Sequence, residues 1–288
     1  MCELFGKSRQ AYYQKSKRQN KQLFNDELII QEIDRLRKKS SGIGGRKLYK
    51  ILRESMPEHM QTGRDAFFDL LRRHNRLIRR RRTSVRTTNS NHWLRRYPNL
   101  ITDFTPTSSN RLWVSDITYI QTTVGFSYLF LITDAYSRKI VGWEIADTLE
   151  GKHAVKALKK ALHSTSTDFS QLIHHSDRGV QYCCDAYTRE LIKRNATISM
   201  TENGDPLENA IAERVNGILK MEWLNQEKLK DLGHAQKRIK QIIDAYNNIR
   251  PHLSIEMMTP QQAHNCKGEL KRMWKNYYKQ NKKQKHLN

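Results

Sequence analysis

The spacing of hydrophobic residues predicts helices in the first quarter of the chain. Apolar residues there recur every three to four positions, and clusters of Gly, Ser and Pro interrupt them. We expect three short helices, at about Asp26–Lys39, Gly45–Ser55 and Gly63–His74. Thr62 is the expected N-cap of the third helix, and Asp65 three residues later completes a partial capping box.

From about residue 110 the pattern becomes typical of strands. Three runs rich in aromatic and β-branched residues predict an antiparallel meander. These runs are Arg111–Gln121, Phe126–Thr133 and Lys139–Ile145. Helices and short strands then alternate, which indicates an α/β layout. The predicted elements are a helix at Gly151–Ser164, strands at Gln171–His174 and Thr197–Met200, and helices between and after those strands.

Positive charge is concentrated in the front of the chain. The formal net charge is +23, from 52 Lys and Arg against 29 Asp and Glu. Residues 1–100 hold 25 basic and 9 acidic residues, or +16, whereas residues 101–288 hold 27 and 20, or +7. Such charge favours a polyanionic partner, and duplex DNA is the densest common one. RNA and an anionic membrane surface are the alternatives on charge alone.

Other compositional signals exclude several classes of protein. No apolar stretch approaches the roughly 20 residues that a membrane span requires, and the N-terminus lacks the apolar core of a signal peptide. We therefore expect a soluble protein of the cytoplasm. The four cysteines, Cys2, Cys183, Cys184 and Cys266, form no Cys-x-x-Cys pair, which favours reduced thiols over a disulfide framework or a zinc site.

The three predicted helices and their arginines fit a helix-turn-helix module, in which the later helix lies in the major groove. A small basic bundle without base readout is the alternative. The run Arg79–Arg82 indicates a flexible linker that also follows phosphates. The candidate DNA contacts in this part of the chain are Arg46, Lys47, Arg64, Arg72, Arg73, Arg80 and Arg81.

Three acidic residues, Asp116, Asp177 and Glu213, are the candidates for catalysis. An Asp on the apolar face of a central strand is costly unless it is paired or binds a metal, and Asp116 lies on such a face. Asp177 directly follows a predicted strand, where sites form in α/β sheets. On a helical wheel Glu213 shares a face with Asn209, Asn216 and Lys220, opposite Ile211, Val215 and Ile218.

Each acid also has a simpler interpretation. Taken singly, an Asp before a turn is usually a cap, and a Glu on a polar helix face is usually solvated. Asp134 is a rival for the first acid, although its position before Tyr136-Ser137-Arg138 favours a role in forming that turn. His174 and His175 either shape the loop at Asp177 or are buried structural residues.

The spacing of the acids and their surrounding sequence resemble a known family. Sixty residues separate Asp116 from Asp177 and 35 separate Asp177 from Glu213. The chain thus resembles the polynucleotidyl transferases with a D,D-35-E triad, and it is similar to the second-frame product of insertion-sequence transposases along nearly its whole length. The strings that carry the resemblance are Trp113–Tyr119, Asp134–Trp143, His175–Tyr182, Glu208–Ala210 and Tyr246–His252.

The resemblance implies a ribonuclease H-like integrase core, a mixed five-stranded sheet with helices, preceded by an all-α helix-turn-helix domain. We accordingly expect five segments along the chain. They are a basic segment at 1–25, a helix-turn-helix-like domain at 26–78, a basic linker at 79–108, the catalytic core at 109–265 and a basic tail at 266–288.

The resemblance also implies a DNA transposase that depends on two Mg2+ or Mn2+ ions. Carboxylates are the hard oxygen ligands that such ions prefer. Our hypothesis is that Asp116 contacts both ions while Asp177 and Glu213 each complete one. Water then cleaves the element's end, and the released 3′-hydroxyl attacks another phosphodiester. Lys220 and Arg178 are candidates for contacting DNA near the cut, and an ion pair is the alternative for Lys220.

The implied partners are the terminal repeats of the element and the target DNA, bound by a homo-oligomer in the bacterial cytoplasm, in association with the nucleoid. The family's first-frame product, free or fused, is a further expected partner, since the chain lacks a heptad run of its own. Two rival functions are a catalytically silent DNA-binding protein and a ribonuclease H-like nuclease without strand transfer.

Overall fold

The computed structural model describes residues 9–78, 94–165, 168–202 and 209–271. The chain forms two compact units, residues 1–80 and residues 81–288. The first contains the helices α1 (Arg9–Lys39), α2 (Gly45–Ser55) and α3 (Arg64–Arg73), with a short 3-10 helix at Glu58–Met60. Within the described ranges, every helix is too short or too polar to cross a lipid bilayer.

Strands and helices alternate in the second unit after an initial meander, as the sequence predicted. The strands are β1 (Leu112–Thr122), β2 (Gly125–Asp134), β3 (Ile140–Ala146), β4 (Ile173–Ser176) and β5 (Thr197–Met200). The helices are α4 (Gly151–His163), α5 (Val180–Cys183), α6 (Asp185–Ile192), α7 (Ala210–Glu222), α8 (Leu232–Asn248) and α9 (Pro260–His264), with 3-10 helices at Leu224–Gln226 and Leu253–Ile255.

Helix α1 is longer than predicted. It begins at Arg9, and the predicted start at Asp26 is therefore wrong. The apolar stripe that set the prediction marks only the packed half of the helix, where Ile29 and Ile33 are buried. The preceding half has no such stripe, and its Leu23 is exposed. Because that half also contains neither Gly nor Pro, nothing in its composition interrupts the helix.

The beginnings of α2 and α3 differ in how well the sequence predicted them. Helix α2 has the predicted bounds, whereas α3 begins at Arg64 with Gly63 as its N-cap, so the prediction of Thr62 as N-cap is wrong. No side chain caps α3, and Asp65 lies in its first turn. Close packing also requires a glycine at the start of α2, since a Cβ at Gly45 would lie 2.9 Å from the ring of Phe68.

The five strands form one mixed sheet in the order β3-β2-β1-β4-β5. Strands β1, β2 and β3 pair antiparallel, whereas β4 pairs parallel with both β1 and β5. Helices α4 and α6 and the buried side chains of one large apolar cluster cover one face, and α7 and α8 cover the other with a second cluster. The predicted ribonuclease H-like fold is therefore confirmed.

Close approach of α4 to the edge strand β3 depends on Gly142. A Cβ at this position would lie 2.4 Å from the carbonyl oxygen of Ala157, which is a backbone atom that cannot turn away.

Residues 94–108, which the sequence assigned to a linker, contact the sheet at its opposite edge. There Met200 donates a backbone hydrogen bond to Pro98, and Leu100 donates one to the hydroxyl of Ser199.

Strand β4 lies two residues later than predicted, at Ile173–Ser176 instead of Gln171–His174. The prediction stopped short because the end of the strand is polar. In the structure these polar side chains are buried and hydrogen-bonded. The ring nitrogen Nε2 of His174 lies 2.8 Å from the hydroxyl of Ser115 and 2.9 Å from that of Tyr187. Both histidines are thus structural residues of the sheet, since His175 also bonds Ser199 at 2.8 Å.

His174 makes folding sensitive to acid. Burial, together with the neighbouring His175, lowers the pKa of His174 to about 3. The neutral ring therefore contributes stability above the unfolded-state pKa of about 6.5, and this contribution is lost as pH falls below that value. Between pH 7.5 and pH 5.0 this contribution should fall by about 2 kcal/mol. The measurement is the difference between wild type and His174→Gln in urea denaturation at the two pH values, because Asp116, whose pKa is raised to about 7, changes stability in the opposite direction over this range. His174→Gln should remove this part of the pH dependence.

Tyr187→Phe is the matched control, because it removes a hydrogen bond to the same ring but leaves the ionisable group in place. Its stability should be lower at both pH values, with the wild-type dependence on pH. Equal pH dependence in His174→Gln and wild type would contradict the prediction.

Candidate active site

The register of the sheet places Asp116 and Asp177 side by side. In the parallel pairing of β1 with β4, Ser115 is the partner of Ser176. The next residue of each strand is an aspartate, so the two carboxylates leave neighbouring strands at the same level. Neighbouring strands lie about 4.8 Å apart, which is close enough for strong repulsion between two charged carboxylates.

The pKa of Asp116 is affected by this proximity. Burial raises the pKa of Asp116 to about 7, and the charge of Asp177 is the second contribution in the same direction. Hydrogen bonds from the side chain of Asn216 and from the backbone N–H of Ile117 oppose the rise, while Glu213 adds to it slightly. The sequence-based expectation that Asp116 is more than a surface acid agrees with this environment.

A tight turn holds the carboxylate of Asp177. Its Oδ1 atom accepts a hydrogen bond of 3.0 Å from the backbone N–H of Gly179, the N-cap of α5. A Cβ at Gly179 would lie 3.0 Å from that same oxygen and 3.1 Å from the side chain of Gln181. Glycine therefore leaves room for the carboxylate to stay against the turn. Asp177 follows the last residue of β4 directly, as the sequence predicted.

Helix α7 carries the third acid. Its Val215 and Ile218 are buried against the sheet, as the helical wheel predicted, and Glu213 is exposed. Partial desolvation raises the pKa of Glu213 above its ordinary value. Glu213 also contributes to the raised pKa of Asp116, so the helix brings it within electrostatic range of the aspartate pair.

Two asparagines of α7 were placed on the right face by the sequence but given no role. Asn216 is buried and donates from Nδ2 to Oδ2 of Asp116 at 2.7 Å. Asn209, the N-cap of α7, is also buried and donates from Nδ2 to the backbone oxygen of Ser115 at 3.0 Å. Together they bind the helix to two successive residues of β1, Ser115 and Asp116. Their spacing of seven residues around Glu213 was the available signal.

Lys220 lies further along the same helix. Burial lowers its pKa, and the charge of Asp116 partly offsets this effect, which places the ammonium group within the field of that carboxylate. Among the side chains that the structure describes, no carboxylate is within ion-pair distance of Lys220. The second candidate, Arg178, directly follows Asp177 and is partly buried. Its charge lowers the pKa of the nearby Cys183, against the larger effects of burial and Asp177.

Asp134, the rival for the first acid, has a structural role. Its carboxylate is fully buried and accepts hydrogen bonds from the backbone N–H groups of Asn110 at 2.7 Å and Ser137 at 2.8 Å, and from the Ser137 hydroxyl at 2.7 Å. These bonds close the turn between β2 and β3. The interpretation of Asp134 as a turn former is therefore confirmed.

The donor atoms around Asp116 suit a divalent cation. Carboxylate and amide oxygens are the ligands that Mg2+ and Mn2+ prefer. Besides Asp177, the amide of Asn216 contacts this acid and that of Asn209 contacts the preceding Ser115, and the buried Oδ1 atoms of both amides accept no hydrogen bond from the described residues. In the part of the chain that the structure describes, no three His, Cys, Asp or Glu side chains are arranged closely enough to hold a metal ion. Two of the three predicted acids are thus brought together.

In the helical unit three of the predicted DNA contacts share one concave surface. Arg46 of α2 and Arg64, Asp65 and Arg72 of α3 surround Phe68 there. Two of these arginines form exposed ion pairs within α3, Arg64 with Asp65 and Arg72 with Asp69. Arg73 points elsewhere, because it forms an ion pair of 3.0 Å with Asp26, whose side chain is only 9% exposed. Lys47 is partly buried at the start of α2. The remaining two candidates, Arg80 and Arg81, lie outside the described residues.

Solved retroviral structures show low similarity to the chain. The catalytic core domain of HTLV-2 integrase, solved in complex with magnesium, is 16% identical with a TM-score of 0.43, over 55% of this chain and 98% of that one. The simian T-cell lymphotropic virus intasome is 15% identical with a TM-score of 0.48, over 82% of this chain and 77% of that one.

Bacterial relatives are more similar in sequence. The transposase of insertion element IS629 from Shigella sonnei is 33% identical over 166 residues, 58% of this chain and 55% of that protein. Transposase InsF of IS3fB from Escherichia coli K12 is 31% identical over 164 residues, 57% of each chain. These two matches span little more than half of each relative.

One relative matches from end to end. An uncharacterized 31 kDa protein of insertion element IS600 from Shigella sonnei is 35% identical over 270 residues, 90% of this chain and 96% of that protein. Residues 106–206 and 194–260 match two family models that are both described as an integrase core domain. These segments contain all three candidate acids. The chain belongs to the insertion-sequence transposases with an integrase-like core, and it is thus a DNA transposase, a polynucleotidyl transferase.

Proposed function

We propose that this transposase cleaves the ends of its insertion element and joins the released 3′-hydroxyl to target DNA at a site formed by Asp116, Asp177 and Glu213. The observation that carries the proposal is the pairing of Ser115 with Ser176, which sets two carboxylates at one level of the sheet. This arrangement is unfavourable for folding, because an ionised Asp116 is both buried and close to the like charge of Asp177. These two effects raise the pKa of Asp116 to about 7. Perturbed acids of this kind are concentrated at functional sites.

The three carboxylates would hold two Mg2+ or Mn2+ ions. Ions bound in this way supply charge stabilisation to the attacking and leaving oxygens of an in-line phosphoryl displacement. Asp116 is the central ligand in this proposal, because the charges of both Asp177 and Glu213 contribute to the rise in its pKa. The remaining residues orient these acids. The amide of Asn216 fixes one oxygen of Asp116, and the N–H of Gly179 fixes one oxygen of Asp177.

Lys220 supports the substrate side of the site. Its ammonium group lies on the helix of Glu213 and within the field of Asp116. A cation in this position favours the approach of a DNA phosphate to a group of acids that would otherwise repel it. We assign Lys220 to a phosphate near the scissile bond, and Arg178 to a neighbouring position on the DNA.

The helical unit would grip the ends of the element. We propose residues 26–78 as the DNA-binding domain, 79–108 as the linker, 109–265 as the catalytic domain and 266–288 as a basic tail. The concave surface of Arg46, Arg64 and Arg72 combines positive charge with an aromatic side chain, which suits a phosphate backbone. The proposed partners are terminal repeats, target DNA, further copies of the chain and a first-frame product, in the cytoplasm of a bacterium.

Replacing an acid of the triad should abolish the chemistry and leave DNA binding intact. Asp116→Asn, Asp177→Asn and Glu213→Gln are each expected to slow cleavage and joining by about 100-fold or more, because several kcal/mol of charge stabilisation depend on the ions that they hold. The measurement is a cleavage and joining assay on labelled element ends with Mg2+ or Mn2+. Asp185→Asn, an exposed acid at the start of α6, is the control.

Outcomes of this assay separate the rival functions. Cleavage without joining would indicate a nuclease, and end binding without either product, in the presence of the first-frame protein, would indicate a silent DNA-binding protein. Joining by Glu213→Gln at the wild-type rate would contradict the assignment of the triad.

Lys220→Ala should weaken binding of the cut end while the protein remains folded. Loss of one phosphate contact is expected to reduce the slope of log affinity against log salt by about 1, equally for all sequences. Lys220→Arg should retain most of the affinity because it retains the charge. The check is a salt titration by fluorescence anisotropy. An unchanged slope in Lys220→Ala would favour a purely structural role.

Two arginines of the helical unit, Arg46 and Arg73, should behave differently. Arg46→Ala is expected to reduce the salt slope of DNA binding by about 1 with little change in stability, since Arg46 is exposed. Arg73→Ala is expected to destabilise the unit by about 1 kcal/mol, because the buried carboxylate of Asp26 loses its partner. Thermal unfolding and anisotropy measure both effects. The prediction is wrong if Arg73→Ala alone weakens DNA binding.

A further inference from the structure

The segment Tyr246–His252 was singled out by its sequence, yet it contains none of the candidate acids. It begins in the last turn of α8 and ends in the loop that follows. In the structure three of its side chains reach three different parts of the core. Each of them is buried, and each forms hydrogen bonds with residues that are distant in the sequence. The segment is therefore a junction within the core.

Two of these contacts hold α8 to the meander. The side chain of Asn247 accepts a hydrogen bond from the backbone N–H of Ile140 and donates one to its backbone oxygen, both at 3.0 Å. Ile140 is the first residue of the edge strand β3. The hydroxyl of Tyr246 donates to the backbone oxygen of Arg138 at 3.0 Å. All three bonds attach the end of α8 to the sheet, and none of them involves α7.

The third contact reaches α7. Arg250 is 3% exposed, and its guanidinium group donates to both oxygens of Glu222, from Nε at 2.8 Å and from Nη2 at 2.7 Å. Glu222 is the last residue of α7, two residues after Lys220 and nine after Glu213. The side chain of Glu222 is only 12% exposed. A bidentate pair of this kind fixes direction as well as distance.

We propose that the Arg250–Glu222 pair is a positioning device for α7, which sets the rotation and height of the helix so that Glu213 and Lys220 face Asp116. The inference rests on the proposed function of Glu213. Asparagines bind the first part of α7 to β1, but both bonds are at or before Asn216. Beyond that point the helix packs through apolar side chains, whose attraction is non-directional. The ion pair with Arg250 is a directional contact between the far end of α7 and the segment after α8.

The choice of substitutions can separate an effect on the position of α7 from an effect on the stability of the protein. Removing one member of a buried ion pair leaves an uncompensated charge and threatens folding, whereas replacing both members by apolar groups of similar length is often neutral. The double variant Glu222→Met/Arg250→Met therefore keeps the packing of these side chains but removes their two directional hydrogen bonds. Arg250→Lys is the conservative variant, since it keeps a charge but cannot make two parallel bonds.

Another ion pair of the same unit provides the matched control. Arg238 of α8 donates to both oxygens of Glu227 at 2.5 Å, and both side chains are largely buried. This pair lies outside α7, because Glu227 follows the helix by five residues. Glu227→Met/Arg238→Met therefore removes an equivalent bidentate pair without altering the attachment of α7.

The experiment compares these variants in the full chain, expressed together with the first-frame protein. Single-turnover joining of a pre-cut end is measured against DNA concentration, and hydrogen exchange of the amides at 210–222 is measured in the same proteins. For Glu222→Met/Arg250→Met we expect an unfolding temperature near that of wild type, a maximal joining rate about 10-fold lower and an unchanged half-saturating DNA concentration. Exchange in α7 should be faster. Arg250→Lys should fall between it and wild type, and the control pair should match wild type.

Other results would overturn the inference. They are wild-type joining by a folded Glu222→Met/Arg250→Met protein, unchanged exchange in α7, or equal losses in the two double variants, which would indicate a general structural effect. Glu213→Gln in the same assay separates this failure from that of the proposed function. If Glu213→Gln is inactive while the double variant is fully active, only the positioning role is wrong. If Glu213→Gln joins normally, the triad itself is wrong.

Discussion

The parallel pairing of β1 with β4 is the constraint on which the rest of the site depends. It aligns Ser115 with Ser176 and so forces the aspartates that follow them to the same level of the sheet. The sheet tolerates this repulsion because buried hydrogen bonds hold the strand pair together. Ser115, His174 and Tyr187 form one such connection between β1, β4 and α6. Burial, the largest cause, and then the neighbouring charge of Asp177 raise the pKa of Asp116.

In the proposed site, helix α7 adds Glu213 to this pair of acids. Apolar side chains such as Val215 pack it against the sheet, and polar contacts attach it at both ends. Asn216 bonds directly to Asp116, and Glu222 bonds to Arg250 at the other end. The helix therefore carries its exposed carboxylate, Glu213, on a body attached at two points. Such support allows an exposed side chain to keep a defined place in the site.

Charge is divided between the two units in a way that suits binding and chemistry. The front of the chain is strongly basic, and arginines of α2 and α3 share a concave surface there. The integrase-like core is closer to neutral and holds buried acids. Not all arginines of the front are available to DNA, since Arg73 is bound to the buried Asp26. Local charge density alone therefore overestimates the DNA-binding surface.

The sequence by itself determined the family, the mixed sheet and the three candidate acids, because long motifs and strand periodicity are local properties of the chain. It also identified Asp134 as a turn former. It missed the start of α1 at Arg9, since an apolar stripe reports burial and not helix length. Only the tertiary structure decided the partners of Asn216, Arg250 and Arg73, because each contact joins residues that are far apart in sequence, and periodicity along one element carries no information about the element that packs against it.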